Sequence, residues 1–314
     1  MAEAPAIAVR DLARSFPGVK AVDRLSFDVR YGEIFGLVGP DGAGKTTTMR
    51  ILAGVLLPDS GVAEVAGFDV ARNPERVKQE ISYMSQRFGL YEDLTVDENI
   101  RFYAEVYGVR RSVYLERSER LLQAADMQRF RTRLAGKLSG GMKQKLGLIC
   151  ALIHTPRVLL LDEPTNGVDP VSRRDFWKIL YSLLGEGVAI LTSTAYLDEA
   201  ERCHRVALVH EGRLLFCDKP DLLKQSLRNR VVAVATSDPR SARTAIEKTK
   251  GLRSVVLVGD GMHLLVDDAS QLIPVLREKM AAANVEYSAV EAVTASLEDV
   301  FVNAVQGDQE VTNA

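Results

Sequence analysis

Ile34-Phe-Gly-Leu-Val-Gly39-Pro40-Asp41-Gly42-Ala43-Gly44-Lys45-Thr46-Thr47 is the stretch from which the fold is read. The run Ile34 to Val38 is apolar and of a length that suits a buried parallel strand. A loop with glycines at 39, 42 and 44 follows, and Lys45, Thr46 and Thr47 open a helix continuing through Met49, Ile51 and Leu52. Gly-x-x-x-x-Gly-Lys-Thr between a strand and a helix is the pattern of a phosphate-binding loop. The glycines let backbone N–H groups curl round phosphate oxygens, and the helix N-terminus adds its positive dipole end. Lys45 is placed to reach the β- and γ-phosphates of a nucleotide, and the Thr46 hydroxyl to ligate Mg²⁺.

With 314 residues the chain can bury a large core, and about two domains are expected. Lys plus Arg total 40 against 42 Asp plus Glu, so no overall charge argues for a nucleic-acid partner. Cys150, Cys203 and Cys217 are odd in number and lack C-x-x-C spacing, which argues against disulfides and a zinc site. The N-terminus carries Glu3 and only a short apolar patch, so no signal peptide is expected. No stretch approaches the ~18 apolar residues of a membrane span. If the protein works at a membrane, another chain is expected to cross it.

In chain order, Ala6–Val9 and Leu25–Val29 read as strands around a loop with Phe16, Pro17 and Gly18. Phe16 suits either a stacking platform for a purine or the core. Ile81–Met84 reads as a strand delivering Gln86 to its end. Thr95 and Glu98 form a capping box for a helix through Tyr107, with Val96, Ile100, Tyr103, Val106 and Tyr107 on one face. Residues 101–145 hold eleven Lys or Arg against four acids. Without aromatic residues interleaved, this segment reads as a solvated helical face rather than a nucleic-acid surface, with contact to an acidic partner loop as the second choice.

Inside that segment, Leu138-Ser139-Gly140-Gly141-Met142 places an N-cap serine at a second anion-facing helix start. Val158–Leu161 reads as a strand covered on both faces, with Asp162 and Glu163 at its C-terminal end, where open α/β sheets carry their chemistry. Asp162 suits a partner of Mg²⁺ through water, and Glu163 a general base that polarises an attacking water. Asp169 follows in Gly-Val-Asp-Pro. A further buried strand, Val188–Thr192, leads to Ser193-Thr-Ala195-Tyr-Leu-Asp-Glu-Ala-Glu201, and Val206–Val209 and Leu214–Phe216 form a hairpin.

Taken in order over about residues 7–220, these motifs resemble the nucleotide-binding subunits of ABC transporters. The resemblance implies an α/β P-loop NTPase fold, with a RecA-like core, an antiparallel β subdomain and a helical signature subdomain. It implies ATP and Mg²⁺ as ligands. ATP would be held by Phe16 stacking on adenine, by the Walker A residues Gly39 to Thr47, by the signature residues Ser139, Gly140 and Gly141, and by Asp169 of the D-loop. Mg²⁺ would be held by Thr46, Gln86 and Asp162, with Glu163 and Gln86 acting in hydrolysis. In that family two subunits sandwich two ATP molecules, each site joining one subunit's Walker motifs to the other's signature. The switch histidine of the family falls at Ala195, whose methyl group donates no hydrogen bond, and Asp41 replaces the usual asparagine. Both departures resemble the N-terminal half of tandem YbhF-type drug-exporter ATPases. The sound signature beside the altered switch leads to the expectation of pairing with a related, non-identical subunit, unless Thr194 or Tyr196 supplies a substitute hydroxyl.

Beyond Pro220 the pattern changes. Strands are predicted over 230–236, 253–258, 262–266 and 286–292, with helices near 239–249 and 270–282, the βαββαβ order of a split-βαβ ferredoxin-like unit. Gly259-Asp260-Gly261 reads as a hairpin turn, Ser296-Leu-Glu-Asp299 as the cap of a short helix, and His263 as a strand residue rather than a ligand. This ending resembles the C-terminal extension of daunorubicin-resistance-type exporter ATPases, for which a regulatory or dimer-supporting role is implied. The expected domains are residues 1–222 and 228–306, with 307–314 a disordered tail. The whole reads as the ATP-hydrolysing subunit of a drug exporter at the inner face of the cell membrane. Its expected partners are ABC-2 type permease subunits and a second ATPase subunit, identical or not, with no nucleic acid. The alternative is a weakly hydrolysing regulatory subunit beside a competent one.

Overall fold

The structure is a computed structural model and describes residues 4–86, 89–259 and 261–312. The chain opens with two long strands, β1 (Ile7–Phe16) and β2 (Val19–Val29), followed by β3 (Ile34–Val38), α1 (Lys45–Leu52), β4 (Ser60–Val65) and β5 (Phe68–Asp69). The elements α2 (Pro74–Glu80), β6 (Ile81–Met84), α3 (Val96–Val106), α4 (Arg111–Ala124) and α5 (Gly140–Leu152) come next. After β7 (Val158–Asp162), α6 (Pro170–Leu184), β8 (Ala189–Thr194) and α7 (Leu197–Ala200), the first unit ends with β9 (Arg205–His210) and β10 (Arg213–Asp218). The hairpin β1–β2 is longer than its apolar runs suggest, because both strands continue to the turn at Pro17 and Gly18.

Two sheets share this unit. One has the order β2-β1-β4-β5 with antiparallel neighbours; the other has the order β10-β9-β3-β8-β7-β6. In the second, β9, β3, β8, β7 and β6 run parallel. Their register sets Val38 beside Thr194, Asp162 beside Ser193 and Met84 beside Leu161. Four chain segments therefore leave the sheet at one end: the loop after β3, Gln86 after β6, Glu163 after β7 and Ala195 after β8. Every residue of β3 and β7 is buried, which accounts for their unbroken apolar runs.

The capping box at Thr95 forms, with Thr95 N donating to Glu98 Oε2 at 2.8 Å. The buried face of α3 differs from the expected one. Val106 is exposed, while Asn99 is wholly buried. Its amide is satisfied there, donating to the carbonyls of Tyr91, Leu94 and Thr95 and accepting from Tyr91 N at 2.9 Å. Many cations of the basic segment pair within the chain: Arg131 with Asp97 and Glu119, Arg101 with Glu105, Lys143 with Glu92, Lys145 with Asp175.

Cys150 and Cys203 are buried, and burial pushes both thiols up from their ordinary range; Cys217 is only half-buried. Alkylation of the native protein at mildly alkaline pH is therefore expected to reach Cys217 first, the other two reacting only after denaturation. Peptide mapping after timed labelling reads this directly; equal native labelling of all three would contradict the burial.

Compact packing divides the chain between Cys217 and Asp218, just before the last residue of β10 and ahead of the expected boundary at residue 222. The reason is α8 (Pro220–Gln225), which packs on the last helix of the second unit. That unit continues with β11 (Val231–Ala235), α9 (Pro239–Ile246), β12 (Leu252–Val258), β13 (Gly261–Val266), α10 (Ala269–Ala282), β14 (Ala289–Ala292) and α11 (Leu297–Thr312). Its sheet has the order β12-β13-β11-β14, all antiparallel, as a split-βαβ unit requires. Val258 pairs with Gly261 across the expected hairpin turn, of which Asp260 lies outside the described residues.

The closing helix is not short. It runs to Thr312 through the stretch expected as a tail; residues 313–314 lie outside the described residues. Its start is a box in which Asp299 accepts from Ser296 N and Oγ, each at 2.8 Å, while Ser296 Oγ accepts from Asp299 N. His263 of β13 adds its Nδ1 at 3.1 Å from the same carboxylate, so this histidine is a strand residue tied to a helix cap.

Candidate active site

The loop after β3 is shaped by two close approaches. A Cβ on Gly39 would stand 2.1 Å from the carbonyl oxygen of Val209, and one on Gly44 2.1 Å from that of Ala21. Gly44 also sits at φ 96°, a left-handed conformation, and is the N-cap of α1 with no side-chain cap. The first-turn N–H groups of α1 thus lack a capping side chain, and residues 41–47 line a cleft of about 440 Å³. Lys45 folds back over this loop. Its buried Nζ donates to Gly39 O at 2.8 Å and Pro40 O at 3.0 Å, and lies 3.2 Å from Glu163 Oε1.

The end of β7 supplies the acids. Asp162 is buried and accepts from Ser193 Oγ at 2.7 Å, Thr46 Oγ1 at 3.1 Å and Tyr83 OH at 3.3 Å. The Tyr83 phenol is pushed up to about 12, first by burial and then by the Asp162 charge. Glu163 turns the chain with φ 49°, held by its N–H donating to Ser193 Oγ at 3.0 Å and Ser193 O at 3.2 Å. A left-handed glutamate costs about 1–2 kcal/mol, a strain of the kind that collects at functional sites. The turn aims its carboxylate back over the loop, where Gln86 Nε2 donates at 3.2 Å and Asn166 Nδ2 at 3.4 Å.

Phe16 and Asp41 line the same cleft. Phe16 is 41% exposed with the Arg14 guanidinium over its ring, so the core reading does not hold. The signature residues stand elsewhere. Ser139 caps α5 by accepting from Met142 N at 3.3 Å, and Asp169 caps α6 by accepting from Ser172 N at 2.9 Å and Val171 N at 3.1 Å. Those donors hold the Asp169 carboxyl below its ordinary range. Gly141 is pressed on α6: a Cβ there would stand 2.3 Å from Ser172 Oγ. Ser139, Gly140, Gly141 and Asp169 thus form a second cluster, and none of them lines the phosphate-loop cleft.

Of the two hydroxyls considered at the switch, that of Thr194 is buried and donates to Glu199 Oε2 at 3.0 Å, while accepting from Tyr196 N at 2.9 Å. It is committed away from the cleft. Ala195 is exposed. Ser193, Tyr83 and Asn166 were not singled out from the sequence. For Asn166 a signal existed, three residues past Glu163 in a turn; for the other two only strand order reveals the contact.

The ABC transporter family model matches residues 22–166. Over 258 residues the chain is 48% identical to the probable multidrug ABC transporter ATP-binding protein YbhF of Escherichia coli (strain K12), covering 82% of this chain. That match spans 44% of YbhF, less than half its length. The daunorubicin/doxorubicin resistance ATP-binding protein DrrA of Streptomyces peucetius is 33% identical, over 95% of this chain and 91% of its own. The Nod factor export ATP-binding protein I of Paraburkholderia xenovorans (strain LB400) is 34% identical, over 95% and 96%. Among solved structures, an ATP-binding subunit of an ABC transporter superposes with a TM-score of 0.65 at 30% identity, covering 70% of this chain and 92% of that one. By its loop, its strand-end acids and these likenesses, the chain belongs to the ABC transporter family, among its ATP-binding proteins.

Proposed function

We propose that this chain binds ATP with Mg²⁺ over the loop 39–47 and hydrolyses it, driving a membrane exporter of the ABC-2 drug-export type. The observation that carries this reading is the Glu163 carboxylate held 3.2 Å from the Lys45 ammonium above the phosphate loop. A γ-phosphate arriving there competes with Glu163 for Lys45, leaving the carboxylate beside the phosphorus it is to serve. Glu163 then takes the proton of the attacking water as the new P–O bond forms and the bond to the ADP oxygen breaks. Phe16 is exposed at the cleft and supplies a stacking face for adenine.

Among the described residues no three His, Cys, Asp or Glu side chains gather to hold a metal unaided. The Thr46 hydroxyl and Asp162, their oxygens 3.1 Å apart, are hard donors that fit Mg²⁺ once phosphate oxygens complete its shell, with Gln86 as a further donor. A Mg²⁺ ion held there would supply charge neutralisation on the β- and γ-phosphates. The separation of Ser139, Gly140 and Gly141 from their own chain's cleft supports pairing with a second ATPase subunit, identical or related, whose signature completes the site. By its likeness to exporter ATP-binding proteins we place the chain on the inner membrane face beside separate permease subunits; no helix among the described residues is long and apolar enough to cross a membrane. The match to DrrA covers 95% of this chain and so extends into the second unit, to which we assign a regulatory or dimer-supporting role.

Lys45→Ala tests the reading at its base. It removes a buried cation that faces the phosphates, and one charge-assisted bond contributes about 1.5–3 kcal/mol. ATP affinity is expected to fall at least tenfold, measured by nucleotide titration of the purified protein. Unchanged affinity would place the nucleotide elsewhere.

A further inference from the structure

We infer that Asn166 and Tyr196 are positioning residues for Glu163, linked to it by a chain of two hydrogen bonds. The inference rests on the reading of Glu163 as the base. Strands β7 and β8 are parallel neighbours with Asp162 beside Ser193, so the segments leaving them run side by side at one end of the sheet. Across that gap Tyr196 OH donates to Asn166 Oδ1 at 3.3 Å, and Asn166 Nδ2 donates to Glu163 Oε2 at 3.4 Å.

The order of these bonds carries the argument. A side-chain amide has an acceptor end and a donor end, and a carboxylate only accepts. A phenol that donates to the Asn166 oxygen turns the NH₂ toward Glu163; without it the amide is free to flip and present a second oxygen to the carboxylate. Tyr196 is itself held in place. Its N–H donates to Thr194 Oγ1, and the Arg173 guanidinium lies 5.2 Å from the centre of its ring. Arg173 is anchored in turn by ion pairs with Glu199 at 3.3 Å and Asp198 at 3.5 Å. Glu163 Oε2 thus receives Gln86 from the segment after β6 and Asn166 from its own segment after β7, the latter held by Tyr196 after β8. Asn166 also lines the nucleotide cleft, so the orienting group sits beside the reacting atoms.

Steady-state ATP turnover of the full-length protein with Mg²⁺ tests this. Tyr196→Phe keeps the ring over which Arg173 lies and removes only the hydroxyl. It is expected to lower kcat about threefold to tenfold with KM for ATP unchanged, as befits one neutral hydrogen bond acting on the reaction rather than on binding. Asn166→Ala should lower kcat by at least as much. The double variant should fall no further than Asn166→Ala alone, because the hydroxyl acts only through the amide. Glu163→Gln run alongside separates the two ideas. If it leaves turnover intact, the base reading fails and the positioning role with it. If it suppresses turnover while Tyr196→Phe keeps the wild-type kcat, the base reading stands and the positioning role is overturned. A rise in KM with kcat unchanged, or losses that multiply in the double variant, also overturn it.

Discussion

Glu163→Gln is expected to lower ATP turnover by about a hundredfold to ten-thousandfold, the range over which a positioned general base contributes. Glutamine matches glutamate in shape and keeps an oxygen for the Gln86 and Asn166 amides, so the left-handed turn at φ 49° and its bonds to Ser193 should survive. What is lost is the group that accepts a proton. ATP affinity should not fall, because the substitution removes the carboxylate that competes with phosphate for the Lys45 ammonium. The measurement pairs single-turnover hydrolysis with nucleotide titration on the same preparation. Wild-type turnover in the variant would assign the base to another group. A parallel loss of affinity would instead show that Glu163 supports the loop itself.

Gly44→Ala carries the second large effect. Two costs act together: φ 96° is unfavourable for any residue with a Cβ, and the new methyl would stand 2.1 Å from the Ala21 carbonyl. That oxygen belongs to the backbone of β2 and cannot swing aside as a side chain would. The loop or the strand must shift, at about 2–4 kcal/mol in stability. Because residues 41–47 line the cleft, the shift also spoils the cradle of N–H groups, and ATP affinity should fall about a hundredfold. Gly42→Ala is the internal control: its φ of 82° is strained in the same way, but nothing lies within 4 Å of the added Cβ. It should cost only about 1–2 kcal/mol. Thermal melts and nucleotide titrations of both variants check this, and equal effects would mean that the contact with Ala21 relaxes freely.

The features legible in the residues alone were those written in contiguous stretches. Glycine spacing and Lys45 specify a phosphate loop because backbone N–H geometry is set within a few residues. The same holds for the capping boxes at Thr95 and Ser296, and for the wholly buried β3 and β7, whose apolar runs need no partner to be recognised. Contacts between distant segments were a different matter. The buried face of α3 was misjudged at Asn99 because an amide there is satisfied by carbonyls that only the loop before α3 brings near. Phe16 was undecidable from its loop position, and its exposure follows from how far β1 and β2 extend. Length also misled at the C-terminus, where α11 reaches Thr312.

The amino-acid sequence by itself determined that a phosphate loop, a strand-end acid pair and a separate βαββαβ unit exist, since each depends on local spacing and periodicity. Only the tertiary structure decided what meets what. Inserting β8 between β3 and β7 places Ser193 on Asp162 and Tyr196 on Asn166, and parallel register brings Gln86, Glu163 and Lys45 to one end of the sheet. Strand order is set by the packing of whole layers rather than by neighbours in the chain. The partners of Glu163 were therefore settled by residues as much as 118 positions away, from Lys45 to Glu163.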